Sequence, residues 1–160
     1  MSGAPKLRII SGGQTGVDRG ALDAALAAGV PCGGWCPAGR MAEDGPIPAR
    51  YPVEELPQAG YVERTLRNVR DSDATLIICY GEPEGGTRQT LEFCERRNKP
   101  RLRVDAAVTP EQEAARQVAA FVRKLGIRVL NVAGPRASKQ PGAHAYARDV
   151  LALALSDLKR

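Results

Sequence analysis

Short, β-branched apolar runs alternate along this chain with stretches in which apolar residues recur at helical spacing. Leu7-Arg8-Ile9-Ile10 predicts a first strand. Residues 18–28 predict a helix with Leu22, Ala25 and Leu26 on one face and Gly29 as its stop. A short second strand is predicted over 30–35, weakened by Pro31, Gly33 and Gly34. Residues 61–70 read as a helix. Ala74-Thr75-Leu76-Ile77-Ile78-Cys79-Tyr80 is the clearest buried strand, bounded by Asp71-Ser72-Asp73 and by Gly81. A helix to about residue 97 follows, then a fourth strand at Leu102-Arg103-Val104. Pro110 opens a long helix to Leu125, 128–133 is a fifth strand, and 143–158 is a last helix.

This alternation predicts a single α/β domain over 1–160: a Rossmann-like, doubly wound, mainly parallel sheet of about five or more strands, with helices on both faces. The loops leaving strands one, three and five then emerge on one sheet edge, beyond the strand C-termini where such sheets bind ligands. All three are chemically unusual: Ser11-Gly12-Gly13-Gln14-Thr15-Gly16, Gly81-Glu82-Pro83-Glu84-Gly85-Gly86-Thr87, and Gly134-Pro135-Arg136-Ala137-Ser138. The segment 36–59 is rich in Pro, Gly and charge, which predicts a functional lid.

In the first loop, Gly12, Gly13 and Gly16 let the backbone turn tightly and bring N–H groups to an anion, the following helix adds its positive end, and Thr15 adds a hydroxyl. The lysine of a P-loop is absent, and the glycine spacing is not that of a regular dinucleotide fingerprint. The plain alternative is a tight strand-to-helix turn. Gly85-Gly86-Thr87 offers a second set of N–H donors, with Thr87 as cap or ligand contact. Arg136 and Ser138 directly follow a strand end, a place for an anion contact or for an exposed turn. Asp18 and Arg19 lie in a first helical turn, where Asp18 either stabilises the helix or faces the ligand. His144 reads as a surface or capping residue.

Composition narrows the ligand. Apolar residues make 43% and charged residues 26% of 160 residues, the balance of one globular domain. A formal charge of +5 without a basic run suits small anionic ligands, and 4% aromatic residues are too few for a base-stacking surface, which disfavours nucleic acid. No apolar stretch of spanning length occurs, and the N-terminus, Met1-Ser2-Gly3-Ala4-Pro5-Lys6, has no signal-peptide core, so the expectation is a cytoplasmic protein off the membrane. Cys32, Cys36, Cys79 and Cys94 form no C-x-x-C pair and accompany a single histidine, a pattern of buried reduced thiols with no protein-ligated metal.

The run Ile10-Ser11-Gly12-Gly13-Gln14-Thr15-Gly16-Val17-Asp18-Arg19-Gly20-Ala21-Leu22-Asp23 closely resembles the signature of the molybdenum cofactor carrier family. Further similar segments are Gly34-Trp35-Cys36-Pro37-Ala38-Gly39-Arg40 with Glu43-Asp44-Gly45, Arg64-Thr65 with Asn68-Val69, Asp71-Ser72-Asp73, Gly85-Gly86-Thr87, and Asn131-Val132-Ala133-Gly134-Pro135-Arg136. The double-glycine-threonine motif is shared with the wider SLOG superfamily, which includes the LOG-like phosphoribohydrolases. The resemblance implies a Rossmann-like homo-oligomer, dimer or tetramer. Such a protein binds the molybdenum cofactor, a phosphorylated pterin dithiolene, as cargo, and protects or transfers it toward molybdoenzymes or cofactor-synthesis proteins. Cofactor-binding residues implied on this chain are Gly12, Gly13, Gln14, Thr15, Gly16, Asp18, Arg19, Arg40, Gly81, Gly85, Gly86, Thr87, Asn131, Gly134, Pro135, Arg136 and Ser138. The dithiolene already holds the metal, so no protein ligand to it is needed. Two other readings stand beside this one. A LOG-like N-glycosidic hydrolase has a glutamate closely following its threonine, whereas here Thr87 is followed by Arg88-Gln89-Thr90 and the first acid is Glu92; Glu43 and Asp44 would have to supply acid or base. A non-catalytic nucleotide or nucleotide-sugar sensor shares every binding feature.

Overall fold

The alternation of strands and helices continues through the computed structural model, which describes residues 6–160. The N-terminal reading rests on residues 1–6, of which 1–5 lie outside the described residues. In chain order the elements are β1 (Arg8–Ile10), α1 (Val17–Ala28), β2 (Cys32–Gly33), β3 (Trp35–Cys36), β4 (Met41–Ala42), β5 (Gly45–Pro46), β6 (Glu54–Glu55), α2 (Tyr61–Arg70), β7 (Ala74–Cys79), α3 (Gly85–Arg96), β8 (Arg101–Asp105), α4 (Glu111–Leu125), β9 (Val129–Ala133) and α5 (Ala143–Leu158).

Five strands form the central sheet in the order β2-β1-β9-β7-β8, and every neighbouring pair is parallel. The order explains itself if β9 and α5 are moved ahead of β1: the strands, renumbered from β9, then read 3-2-1-4-5, the order of a dinucleotide-binding sheet. The chain reverses direction across the sheet between β9 and β7. The crevice beyond the C-terminal ends of these two strands is therefore the switch point where ligands of such sheets sit.

Successive residues of β7 point to opposite faces, so both need cover. Leu76 and Ile78, with Ile9, Leu130 and Val132, pack on Val17 and Ala21 of α1, Val118 of α4 and Val150 and Leu151 of α5. Val69 of α2 and Phe93 and Cys94 of α3 form a smaller cluster of their own. Each large apolar side chain so buried contributes about 1.5–3 kcal/mol before entropy. Gly29 and Gly126 end α1 and α4 in the left-handed conformation, and Pro110 caps α4.

The expected second strand is two. Gly34 breaks it with φ 124°, because there the backbone passes against Ser11 and leaves no room for a Cβ. The segment read as an irregular lid is an ordered flap. In it β3 pairs parallel with β6, and β4 and β5 form a hairpin turned by Glu43 and Asp44. Cys36, Ala42, Ile47, Tyr51 and Val53 pack with Leu22 of α1 as a second core. Arg40, a candidate cofactor contact in the sequence, is placed as this flap's internal brace. Its guanidinium donates to the carbonyls of Ile47, Pro48, Tyr51 and Val53 at 2.8–3.1 Å, which leaves little for a ligand. Asn131 is likewise structural in position: it lies 3% exposed within β9 and donates to Thr75 Oγ1 at 3.3 Å.

Candidate functional site

The loop from β1 into α1 has the turn that its glycines predict, with φ 77° at Gly13 and 80° at Gly16. Its donors, however, are engaged within the chain. Gln14 N–H donates to Asp18 Oδ2 at 3.2 Å, Gly12 N–H adds a second backbone bond to the same carboxylate, and Thr15 N–H donates to Gln14 Oε1 at 3.1 Å. Ser11 N–H donates to Gly33 O, and Val17 N–H to Pro135 O. The anion in this cradle is thus the side chain of Asp18, 4% exposed. Burial pushes its carboxyl up from the usual range, against the pull of Arg64, the Gln14 and Gly12 N–H groups and Arg19. A Cβ on Gly13 would come within 3.0 Å of Ile47 Cδ1, so Gly13 is needed for the flap to seat.

Arg64, from α2, lies across this loop: a Cβ on Gly12 would collide with its guanidinium. Its Nη1 is 3.5 Å from Asp18 Oδ2, its charge stands 5.7 Å from the Tyr61 ring centroid, and its buried Nε has no hydrogen-bond partner. Burying such a donor without a partner costs about 1–3 kcal/mol, which the rest of the loop contact has to offset.

The loop from β7 into α3 is arranged in the opposite way. Gly85, Gly86 and Thr87 form the first turn of the helix rather than the loop ahead of it. No side chain caps this end, and a Cβ on Gly86 would meet nothing within 4 Å. The first N–H groups of a helix have no intrahelical partner, so an uncapped glycine turn facing a cavity presents donors and a positive dipole end together. Gly81 opens the loop with φ 74°, and its N–H is fixed by Asp105 Oδ1 at 2.9 Å.

The loop after β9 packs directly on the first, since a Cβ on Gly16 would strike Pro135 O, and one on Gly134 would crowd Val17 and Ile78 O. The flap clasps both loops. Arg19 pairs with Asp44 through two bonds of 2.7 and 2.8 Å and donates from Nε to Gly13 O at 3.0 Å. Glu43 accepts from the Thr15 hydroxyl, from Ser138 Oγ at 2.5 Å and from Ser138 N–H at 3.1 Å, with Arg136 Nε at 3.5 Å. These partners hold the carboxyls of Glu43 and Asp44 below the usual range, which makes them ions rather than proton donors. His144 bridges to Asp23 at 2.7 Å, and Arg50 of the flap meets the same carboxylate at 2.9 Å, an anchor behind the site.

Between the second and third loops lies a cavity of about 430 Å³, at the switch point of the sheet. Of the sequence candidates, Gln14, Asp18, Gly85, Gly86, Thr87, Gly134, Pro135 and Arg136 line it, whereas Gly12, Gly13, Thr15, Gly16, Arg19, Arg40, Gly81, Asn131 and Ser138 do not. Arg64, Tyr61, Lys139 and Gln140 also line it, without a site signal of their own in the sequence. Arg64 carried a signal only as part of a similar segment; nothing in its own periodicity says that α2 crosses the first loop. Arg64, Arg136 and Lys139 supply cations, and Glu82 and Glu84 supply acceptors at the rim. Glu92 is not in the lining and pairs with Arg88 at 3.5 Å. Cys79 does line the cavity, but burial pushes its thiol up, so it stays neutral. Among the described residues no group of three or more His, Cys, Asp or Glu could hold a metal ion, and no helix is long and apolar enough to cross a membrane.

Residues 9–155 match the circularly permutated YpsA SLOG family, and the permuted strand order described above is what that description calls for. A crystal structure of a protein from Syntrophus aciditrophicus SB, named "Putative molybdenum carrier protein", is 44% identical, with a TM-score of 0.91 over 94% of this chain and 96% of that one. No curated protein matches the chain.

Proposed function

Because the chain belongs to the circularly permutated YpsA family of the SLOG superfamily, we propose that its switch-point cavity binds the molybdenum cofactor, or a similar phosphorylated heterocycle, and carries it without chemical change. One observation carries this reading: the uncapped glycine turn of α3 and the cationic side chain of Arg64 line one cavity of ligand size. A phosphate on the Gly85 and Gly86 N–H groups satisfies the helix end, with Arg64 and Lys139 within the same lining to balance its charge. The ring of a pterin needs acceptors for its amino and ring N–H donors, and Glu82 and Glu84 supply carboxylates at the rim. The name of the structural neighbour, a molybdenum carrier, agrees with this cargo. Gly12, Gly13 and Gly16 then serve the ligand indirectly, by shaping the loop that holds Asp18 and through it Arg64. The homo-oligomer, the cytoplasmic location and the hand-over to molybdoenzymes or cofactor-synthesis proteins belong to the same reading.

A nucleotide is the second reading, favoured by the dinucleotide-type strand order. Hydrolysis of one is not favoured, because Glu92 is turned to Arg88, and Glu43 and Asp44 are held ionised outside the cavity. Mass spectrometry of ligand released from purified protein separates the cases. A phosphorylated pterin, its oxidation product or bound molybdenum is the expected result; a simple nucleotide together with no uptake of added cofactor overturns the carrier reading.

A further inference from the structure

The Glu43 carboxylate sits where an external anion would sit. It comes from the tip of the β4–β5 hairpin and lands on the hydroxyl of Thr15, the N–H and hydroxyl of Ser138 and the Nε of Arg136. These donors belong to two loops that are locked together independently of the flap. Val17 N–H donates to Pro135 O at 3.2 Å, and Ala137 N–H donates to Thr15 Oγ1 at 3.1 Å. Residues 136–140 form a single tight turn, with the N–H groups of Lys139 and Gln140 on Arg136 O, which leaves the Ser138 N–H pointing outward to the carboxylate. Two hydroxyls, a backbone N–H and a guanidinium around one point are the donor set of a tetrahedral oxyanion. The set adjoins the cavity, because Gln14 and Arg136 belong to its wall and Gln14 Oε1 accepts the Glu43 N–H at 2.9 Å.

We propose that Thr15, Arg136 and Ser138 form an oxyanion-binding subsite that Glu43 occupies in the ligand-free protein and yields to a tetrahedral oxyanion. The subsite is separate from the α3 end and stands whether or not the cavity carries a pterin. Its occupant is an oxyanion such as phosphate or molybdate, free or as part of a larger ligand. Glu43 is suited to yield. It stands at the hairpin tip, whose backbone is held by the Arg19–Asp44 pair and by Glu43 N–H on Gln14 Oε1, while Ala42, Ile47, Tyr51 and Val53 on Leu22 and the Arg40 brace fasten the rest of the flap. The Glu43 side chain can swing off its donors about its own torsions, with the hairpin backbone and that core left in place. The internal carboxylate raises selectivity, since a ligand must offer an anion good enough to displace it.

Titration of inorganic phosphate, and separately of molybdate, into the full chain by calorimetry tests this. Removing the competitor in Glu43→Ala raises oxyanion affinity about tenfold, the gain expected when the clasp is closed nine-tenths of the time. Glu43→Gln, nearly isosteric, gives a smaller gain in the same direction. Adding Ser138→Ala or Arg136→Gln to Glu43→Ala removes most of the gain, while Gly86→Asp at the α3 end leaves it in place. Equal or weaker oxyanion binding in folded Glu43→Ala and Glu43→Gln overturns the proposal and makes Glu43 a latch. A gain that survives loss of Ser138 and Arg136 but vanishes with Gly86→Asp also overturns it, by placing the ion at α3.

Discussion

The loops that leave β1 and β7 carry the same kind of glycine signature, and each runs into a helix of 12 residues. The first is closed on itself: Asp18 fills its N–H groups, the flap covers Gly13, and the third loop abuts Gly16. The second is open: Gly86 has empty space beside it, and no side chain caps the helix. Glycines permit a backbone to present donors, but where those donors go is decided by neighbours far away in sequence. A loop four residues short of its own aspartate answers its own call for an anion. The other has Glu84 as its N-cap residue, turned away from capping, and Thr90, whose hydroxyl donates back to Gly86 O at 3.0 Å, so it leaves the call to a ligand.

Substitutions in the two loops should therefore fail in different ways. Asp18→Ala removes the internal anion and strands both the Gly12 and Gln14 N–H groups and the Arg64 charge. It should cost about 3–5 kcal/mol of stability, measured by urea unfolding, as breakage of a buried pair does. Loss of ligand affinity with unchanged stability would break the comparison. Gly86→Asp does the reverse. An acid in the first turn of α3 keeps or slightly raises stability, by about 0.3–1 kcal/mol. Like-charge repulsion of a few kcal/mol should weaken a phosphorylated ligand at least tenfold. Unchanged affinity would move the ligand away from α3. Gly13→Ala should cost roughly 1–2 kcal/mol, from the positive φ and the contact with Ile47, with ligand affinity altered less than by Gly86→Asp.

The smallest effect is a pH dependence of the flap. Glu43 and Asp44 have folded values below their ordinary 4.5 and 3.8. Their contribution is therefore fully present above those values and is lost as pH falls through the lowered ones. Amide hydrogen exchange of residues 41–45 should stay constant from neutral pH down to the ordinary carboxylate range and rise only below it, after correction for intrinsic rates. A rise beginning near pH 6 would mean another group fastens the flap.

Periodicity was enough for the sheet. Ala74–Cys79 is fully buried and reads so from its unbroken apolar run, and the helix stops at Gly29 and Gly126 are legible as left-handed caps. The strand order was not legible, because it depends on β9 returning between β1 and β7, and no local signal records that choice. The flap is not legible as a structure, since its strands are two residues each and its brace is one arginine reaching four carbonyls. In the site, Gly85, Gly86, Thr87 and Arg136 were visible as glycine-turn and strand-end chemistry. Arg64 was visible only through resemblance, because its role depends on α2 lying over Gly12.

A crystal structure of the protein with a phosphorylated pterin or nucleotide soaked into the cavity tests the central claim most directly. The account predicts the phosphate on the Gly85 and Gly86 N–H groups within reach of Arg64, with Asp18 still seated on Gly12 and Gln14. A phosphate seated in the loop of residues 11–16, with the Asp18 carboxylate displaced, would contradict it.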